Sequence, residues 1–184
     1  MFAKTYIPEC ASNSSGEGRL KLSKPELIAI LLYAPGATGD IGEPIVGKTR
    51  LMKLVFLVVE EGKLTEEMKE DTSFRPYRYG PFDPEVLDSV EALKGLNVIE
   101  ENEESQEKAK VLEDVAEPYD TESVYKLTPQ GIAKVERIVK QLPANVLQKI
   151  SNYKSLYNSK PLVQILHYVY GKYPKYAEVS EANV

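Results

Sequence analysis

The chain has one cysteine, one histidine and no long apolar run, and each shortage removes a class of function. With Cys10 alone, no disulfide can form within the chain and a cysteine-based zinc cluster is excluded. Cys10 precedes the polar run 12–18, where nothing nearby would lower a thiol pKa, so it reads as an incidental thiol and not a nucleophile. His167 lies between Leu166 and Tyr168 in a helical pattern, which points to a hydrogen-bonded packing role, and no catalytic triad has a local signature. The stretches Leu27–Tyr33 and Leu54–Val59 fall well short of the roughly 20 apolar residues a membrane span needs. The opening MFAKTYIPECASNSSGEGR is interrupted by Lys4, Pro8 and Glu9 before any leader-length apolar core, so cytoplasmic residence is the expectation. Neither cofactor nor metal is expected.

What is present is an ordinary globular composition, 42% hydrophobic and 28% charged over 184 residues, with an unusual distribution of charge. The net charge is −5. Residues 100–120 hold nine acids against Lys108 and Lys110, a local −7, while residues 126–175 hold nine bases against Glu136, a local +8. The chain is bipolar. The carboxylates of 100–120 lack the ligand spacing of a calcium loop and read as a solvated charge run.

Residues 1–22 read as a flexible segment, followed by one α+β domain over 23–142, mostly α, whose acidic wing is 100–120. Ser23, Pro25 and Glu26 start a first helix whose apolar positions run nearly all round, placing it centrally. Residues 34–47, rich in glycine and proline, read as a loop. Leu51, Leu54, Val55, Val58 and Val59 give a second helix ending at Gly62. The stretch FRPYRYGPFDPE (74–85) follows. Its first half suits a short strand that Pro76 confines to an edge, joining the sheet of the later hairpin, and Asp83 with Pro84 starts a third helix. Val98–Glu101 and Ser123–Leu127 read as the hairpin strands, and Thr128 with Pro129 starts a fourth helix. Two more helices form a C-terminal extension over 143–173, and a tail, 174–184, is expected to fray.

Three binding chemistries can be tested against these residues. Gly42–Thr49, GEPIVGKT, satisfies the phosphate-loop expression and precedes a helix, the pattern of a nucleotide binder. Such a loop needs consecutive backbone N–H groups after a buried parallel strand, and Pro44 removes one of them, so a fortuitous match is the competing account. Nucleic acid is the second. The order helix, helix, strand, helix, hairpin resembles a winged-helix arrangement, whose third helix would enter the major groove. That helix carries Asp83, Glu85, Asp88 and Glu91 against Lys94 alone, so phosphate would be repelled. The basic C-terminal residues Lys149, Lys154, Lys160, Lys172 and Lys175, interleaved with tyrosines, form the better surface for a DNA-binding regulator. Tyrosines at helical spacing are also ordinary packing residues.

The third is protein. Arg75, Tyr77, Arg78, Tyr79 and Phe82 concentrate interface-type side chains within eight residues, a candidate surface for a protein partner or homodimer. The aromatics could equally wedge the third helix against the second. KTRLMKLVFLVVEEGKL (48–64) followed by YRYGPFDPEVLDSVEALKGLNVIEE (77–101) resembles the SocA-like Panacea antitoxin domain and the YwgA-like proteins. Leu51, Lys53, Leu54 and Phe56 match the first motif of those families, Tyr79–Phe82 the second, and Gly95, Leu96 and Ile99 approximate the third. The resemblance covers roughly 24–140. It implies a winged-helix-like domain with a small antiparallel hairpin sheet, acting as a non-enzymatic antitoxin or adaptor that binds a protein partner, and it carries no active-site residues.

Overall fold

The computed structural model describes residues 21–69, 72–103 and 123–182. Cys10, residues 1–20 of the segment 1–22 and residues 104–120 of the acidic wing 100–120 lie outside the described residues. Among those described, six helices surround a three-stranded antiparallel sheet, and a separate two-stranded ribbon projects from the side, so the chain is α+β and mostly helical.

Helix α1 (Lys24–Tyr33) is the central element, as its all-round apolar sequence requires. Ser23 Oγ accepts from the Glu26 amide and Glu26 Oε2 accepts from the Ser23 amide, a reciprocal cap that sets where the helix begins. Every residue from Leu27 to Leu32 is within 2% of complete burial, and α1 packs against the second, third, fourth and fifth helices.

Residues 45–46 form a strand, β1, where a loop is expected. Ile45 and Val46 pair antiparallel with Tyr125 and Val124 of β5 (Ser123–Leu127), and β4 (Ile99–Glu103) pairs with the other edge of β5, giving the order β1–β5–β4. A two-residue strand has too little periodicity to be read locally; its partner lies almost 80 positions away. Helix α2 (Lys48–Glu60) follows at once and is buried from Leu51 to Val59.

Between α2 and α3 (Pro84–Gly95) stands the ribbon, β2 (Arg75–Tyr77) with β3 (Gly80–Phe82). Arg75 pairs with Phe82 and Tyr77 with Gly80. The expected strand is therefore present, but it pairs locally and does not join the hairpin sheet. Asp83 caps α3 by accepting from the Glu85 amide at 3.0 Å, and its second oxygen meets the buried Lys24 ammonium at 2.9 Å, tying α3 to the start of α1. Thr128 caps α4 (Pro129–Val139) through the Gly131 amide. A Cβ on Gly131 would fall on the Val98 carbonyl, so glycine is what lets α4 lie against the start of the hairpin. Helices α5 (Ala144–Tyr157) and α6 (Leu162–Lys172) close the molecule.

Residues 174–182 of the tail pack against the fold. A 3-10 turn, 174–176, places Tyr176 in the core, where its ring meets Phe56 edge-on at 5.2 Å, and residues 180–182 continue along the ribbon.

Candidate functional site

A cavity of about 310 Å³ lies where the ribbon leans on α2. Helix α2 contributes Lys48, Thr49 and Met52; the ribbon contributes Tyr77, Tyr79, Gly80 and Phe82, and Leu87 of α3 closes the third side. The local sequence explains this grouping. Three lining residues of α2 occupy one helical face at its start, and Gly80, at φ +87°, lets the ribbon turn tightly enough to face them.

The ribbon is held over α2 by a buried lysine. Lys53 Nζ donates to the Pro81 carbonyl at 2.8 Å, and burial pulls its pKa down to about 7. A Cβ at Gly80 would lie 3.3 Å from Lys53 Cε and 3.0 Å from the Tyr170 ring, so the ribbon sits on both side chains with no space to spare.

The five residues expected to form a partner surface are brought together here, with different duties. Tyr77 is 46% exposed and its ring tilts against Phe82, centroids 4.8 Å apart. The Arg75 guanidinium is exposed and stands 6.0 Å from the centre of the Phe82 ring. Tyr79 is half-buried. Arg78 has a structural contact that its sequence position conceals: its carbonyl accepts from the Glu181 amide at 2.7 Å and its Nε lies 3.2 Å from Glu181 Oε1. Ser180 Oγ, 2.6 Å from the Tyr170 hydroxyl, also donates to the Arg78 carbonyl.

One of the five basic C-terminal residues is not at the surface. Lys154 is fully buried, and its three protons go to the carbonyls of Leu32 at 2.9 Å, Ala34 at 2.8 Å and Glu43 at 2.6 Å. It cannot meet a phosphate; it caps α1 and holds the 34–47 segment, helped by Ser151 on the Pro35 carbonyl, Ser155 on the Gly36 carbonyl and Asn158 on Glu43. Lys172 pairs with Glu61 at 3.1 Å, and hydrogen bonds to Tyr168 and Glu61 push its pKa up. Lys160 and Lys175 lie over the rings of Tyr157 and Tyr176. Lys149 is half-buried on α5. The tyrosines pack: Tyr157 meets Tyr168, and Phe56 is ringed edge-on by Phe74, Tyr173 and Tyr176. His167 is exposed on α6, contrary to the packing role expected of it.

The phosphate-loop pattern does not follow a strand of a parallel sheet. The Gly42 amide donates to the Tyr33 carbonyl and the Gly47 amide to the Ser123 carbonyl, while Ile45 and Val46 belong to an antiparallel ladder. Two of the backbone donors that would wrap a phosphate, those of Gly42 and Gly47, are thus committed to the fold.

Among the described residues no group of acidic, histidine or cysteine side chains could hold a metal ion, and no helix is long and apolar enough to cross a membrane. No protein-family model, curated protein or solved structure matches the chain.

Proposed function

We propose that the chain is a non-enzymatic interaction module on a winged-helix-like frame, working as an antitoxin or adaptor does, by binding a protein partner through the β2–β3 ribbon. The order α1–β1–α2–α3–β4–β5 and the sheet order β1–β5–β4 support the winged-helix reading. The resemblance to SocA-like Panacea and YwgA-like domains rests on the same elements, since Lys53 and Tyr79–Phe82 are the residues that join ribbon to helix.

The observation that carries the proposal is the ribbon itself. It stands where a helix-turn-helix has a short turn, and it presents Arg75 and Tyr77 beside an aromatic cavity. Tyrosine and arginine around an apolar recess are the side chains on which protein interfaces concentrate their affinity. Helix α3, which would read DNA in a winged helix, instead exposes Glu85, Asp88 and Glu91.

Affinity capture from the source cells followed by identification of the bound protein tests this. Arg75→Glu and Tyr77→Ala, both on exposed positions, are expected to abolish capture of a reproducible partner, or to dissolve a dimer in light scattering. Undiminished capture would overturn the proposal. A duplex that shifts at low salt and is released by moderate salt would favour the regulator reading through Lys149 and its neighbours instead.

A further inference from the structure

We propose that the recess between α2 and the ribbon takes a short acidic segment of the partner protein that carries one large apolar anchor residue. This deepens the ribbon reading above and rests on it.

The recess has the size and chemistry for an anchor. At about 310 Å³ it lies at the bottom of the roughly 300–1,000 Å³ range of small-molecule sites, room for an inserted side chain more than for an extended ligand. Its walls are apolar where a side chain would enter, with Met52 on one side, Leu87 on another and Phe82 between, and methionine adapts to differently shaped occupants. The phenolic Tyr77 stands at the edge, half exposed, as an amphipathic rim residue does.

Charge selects what surrounds the anchor. None of the lining residues is acidic, while Lys48 lies in the lining, Arg75 flanks it on β2 and Arg78 stands at the ribbon turn. The molecule already displays the recognition in its own tail. Glu181 approaches the ribbon in an extended run, donates its amide to the Arg78 carbonyl and sets its carboxylate against the Arg78 guanidinium. An acidic segment meeting the ribbon from outside would use the same two elements, a backbone donor and a carboxylate, with Arg75 in place of Arg78.

A nucleic acid is also anionic and could stack on Tyr77. It is disfavoured because Glu85, Asp88 and Glu91 stand exposed along the neighbouring α3, which a continuous polyanion would have to pass and a short peptide need not.

The test is selection of a random peptide library displayed on phage against the immobilised full chain, with the enriched peptides then measured by fluorescence polarisation. The expected consensus is one Leu, Ile, Met, Phe or Trp with at least two neighbouring Asp or Glu. Its affinity should fall about tenfold or more with Arg75→Glu, and similarly with Tyr77→Ala, while Leu156→Ala, exposed on α5 and outside the lining of the recess, leaves it unchanged. Raising salt from 50 to 500 mM should weaken it several-fold. Met52→Trp, if it folds by circular dichroism, should abolish binding by filling the recess; the two surface variants decide the matter if it does not. No enrichment, a consensus without acids, or affinity within twofold for both surface variants overturns the inference. So does a single-stranded oligonucleotide that binds tighter than the peptides with the same variant sensitivity. If partner capture depends on Arg75 and Tyr77 while no acidic motif emerges, this inference falls and the ribbon reading stands. If capture ignores both residues, the ribbon reading falls.

Discussion

Lys53 and Pro81 are joined by a hydrogen bond of 2.8 Å from the lysine Nζ to the proline carbonyl, buried between α2 and the ribbon. The bond fastens the segment that carries the candidate interface to the helix beneath it. Its donor is a lysine that has lost most of its hydration, and this makes the fold sensitive to pH.

Burial pulls the Lys53 pKa to about 7 in the folded chain, against roughly 10.4 for an unfolded lysine. Between these values the unfolded chain binds a proton that the folded chain has released, so this group adds stability as pH rises through the window and loses it as pH falls towards 7. The slope is at most about 1.4 kcal/mol per pH unit. Urea denaturation of wild type and Lys53→Met from pH 7 to 9 should show the difference moving in favour of wild type by about 2 kcal/mol. A constant difference would mean that Lys53 keeps its proton throughout.

Lys154 is a different buried lysine. Burial lowers its pKa to about 8, so at neutral pH it keeps its charge, and all three of its protons have carbonyl acceptors. Lys154→Met leaves three carbonyls without their donor and should cost about 3 kcal/mol or more, whereas Lys149→Met on the same helix should stay within about 0.5 kcal/mol. Hydrogen exchange should rise first at the amides of 34–47, the segment Lys154 holds. Equal losses from both lysines would refute the capping role.

Glu101 controls the acid limb. Lys94 Nζ, 2.6 Å away, holds its carboxyl at about 2, with the Tyr125 hydroxyl donating to the other oxygen. A depressed carboxylate contributes stability above the ordinary value near 4.3 and loses it as pH falls from there towards 2. After allowance for the partial exposure of both partners this is about 1–2 kcal/mol. Glu101→Gln should flatten the stability profile between pH 4.5 and 2.5, and an unchanged profile would place the acid sensitivity elsewhere.

Much of the frame was legible because its signals are local. Ser23 with Glu26, Asp83 with Pro84 and Thr128 with Pro129 are helix starts written within a few residues, and each caps a helix where expected. The strand over 75–77 was legible too, but not its partner, since alternation says which face is apolar and nothing about which chain segment completes the ladder. The cluster from Arg75 to Phe82 was legible as interface chemistry; the contact of Arg78 with Glu181 was not, because the two lie about a hundred residues apart.

Composition and pattern by themselves determined that this is a mostly helical α+β chain that can form no disulfide within itself, with a buried first helix and an aromatic, arginine-bearing turn before its third. Only the tertiary structure decided which charges are sealed inside the fold. Lys154 reads like Lys149 in the sequence, one basic residue among several on an amphipathic helix, yet one is sealed against the end of α1 and the other is not. The physical reason is that a lysine's role depends on the acceptors around its ammonium, and for Lys154 these come from carbonyls more than a hundred residues distant. The same holds for GEPIVGKT, whose Gly42 and Gly47 amides donate to the Tyr33 and Ser123 carbonyls once the chain closes on itself.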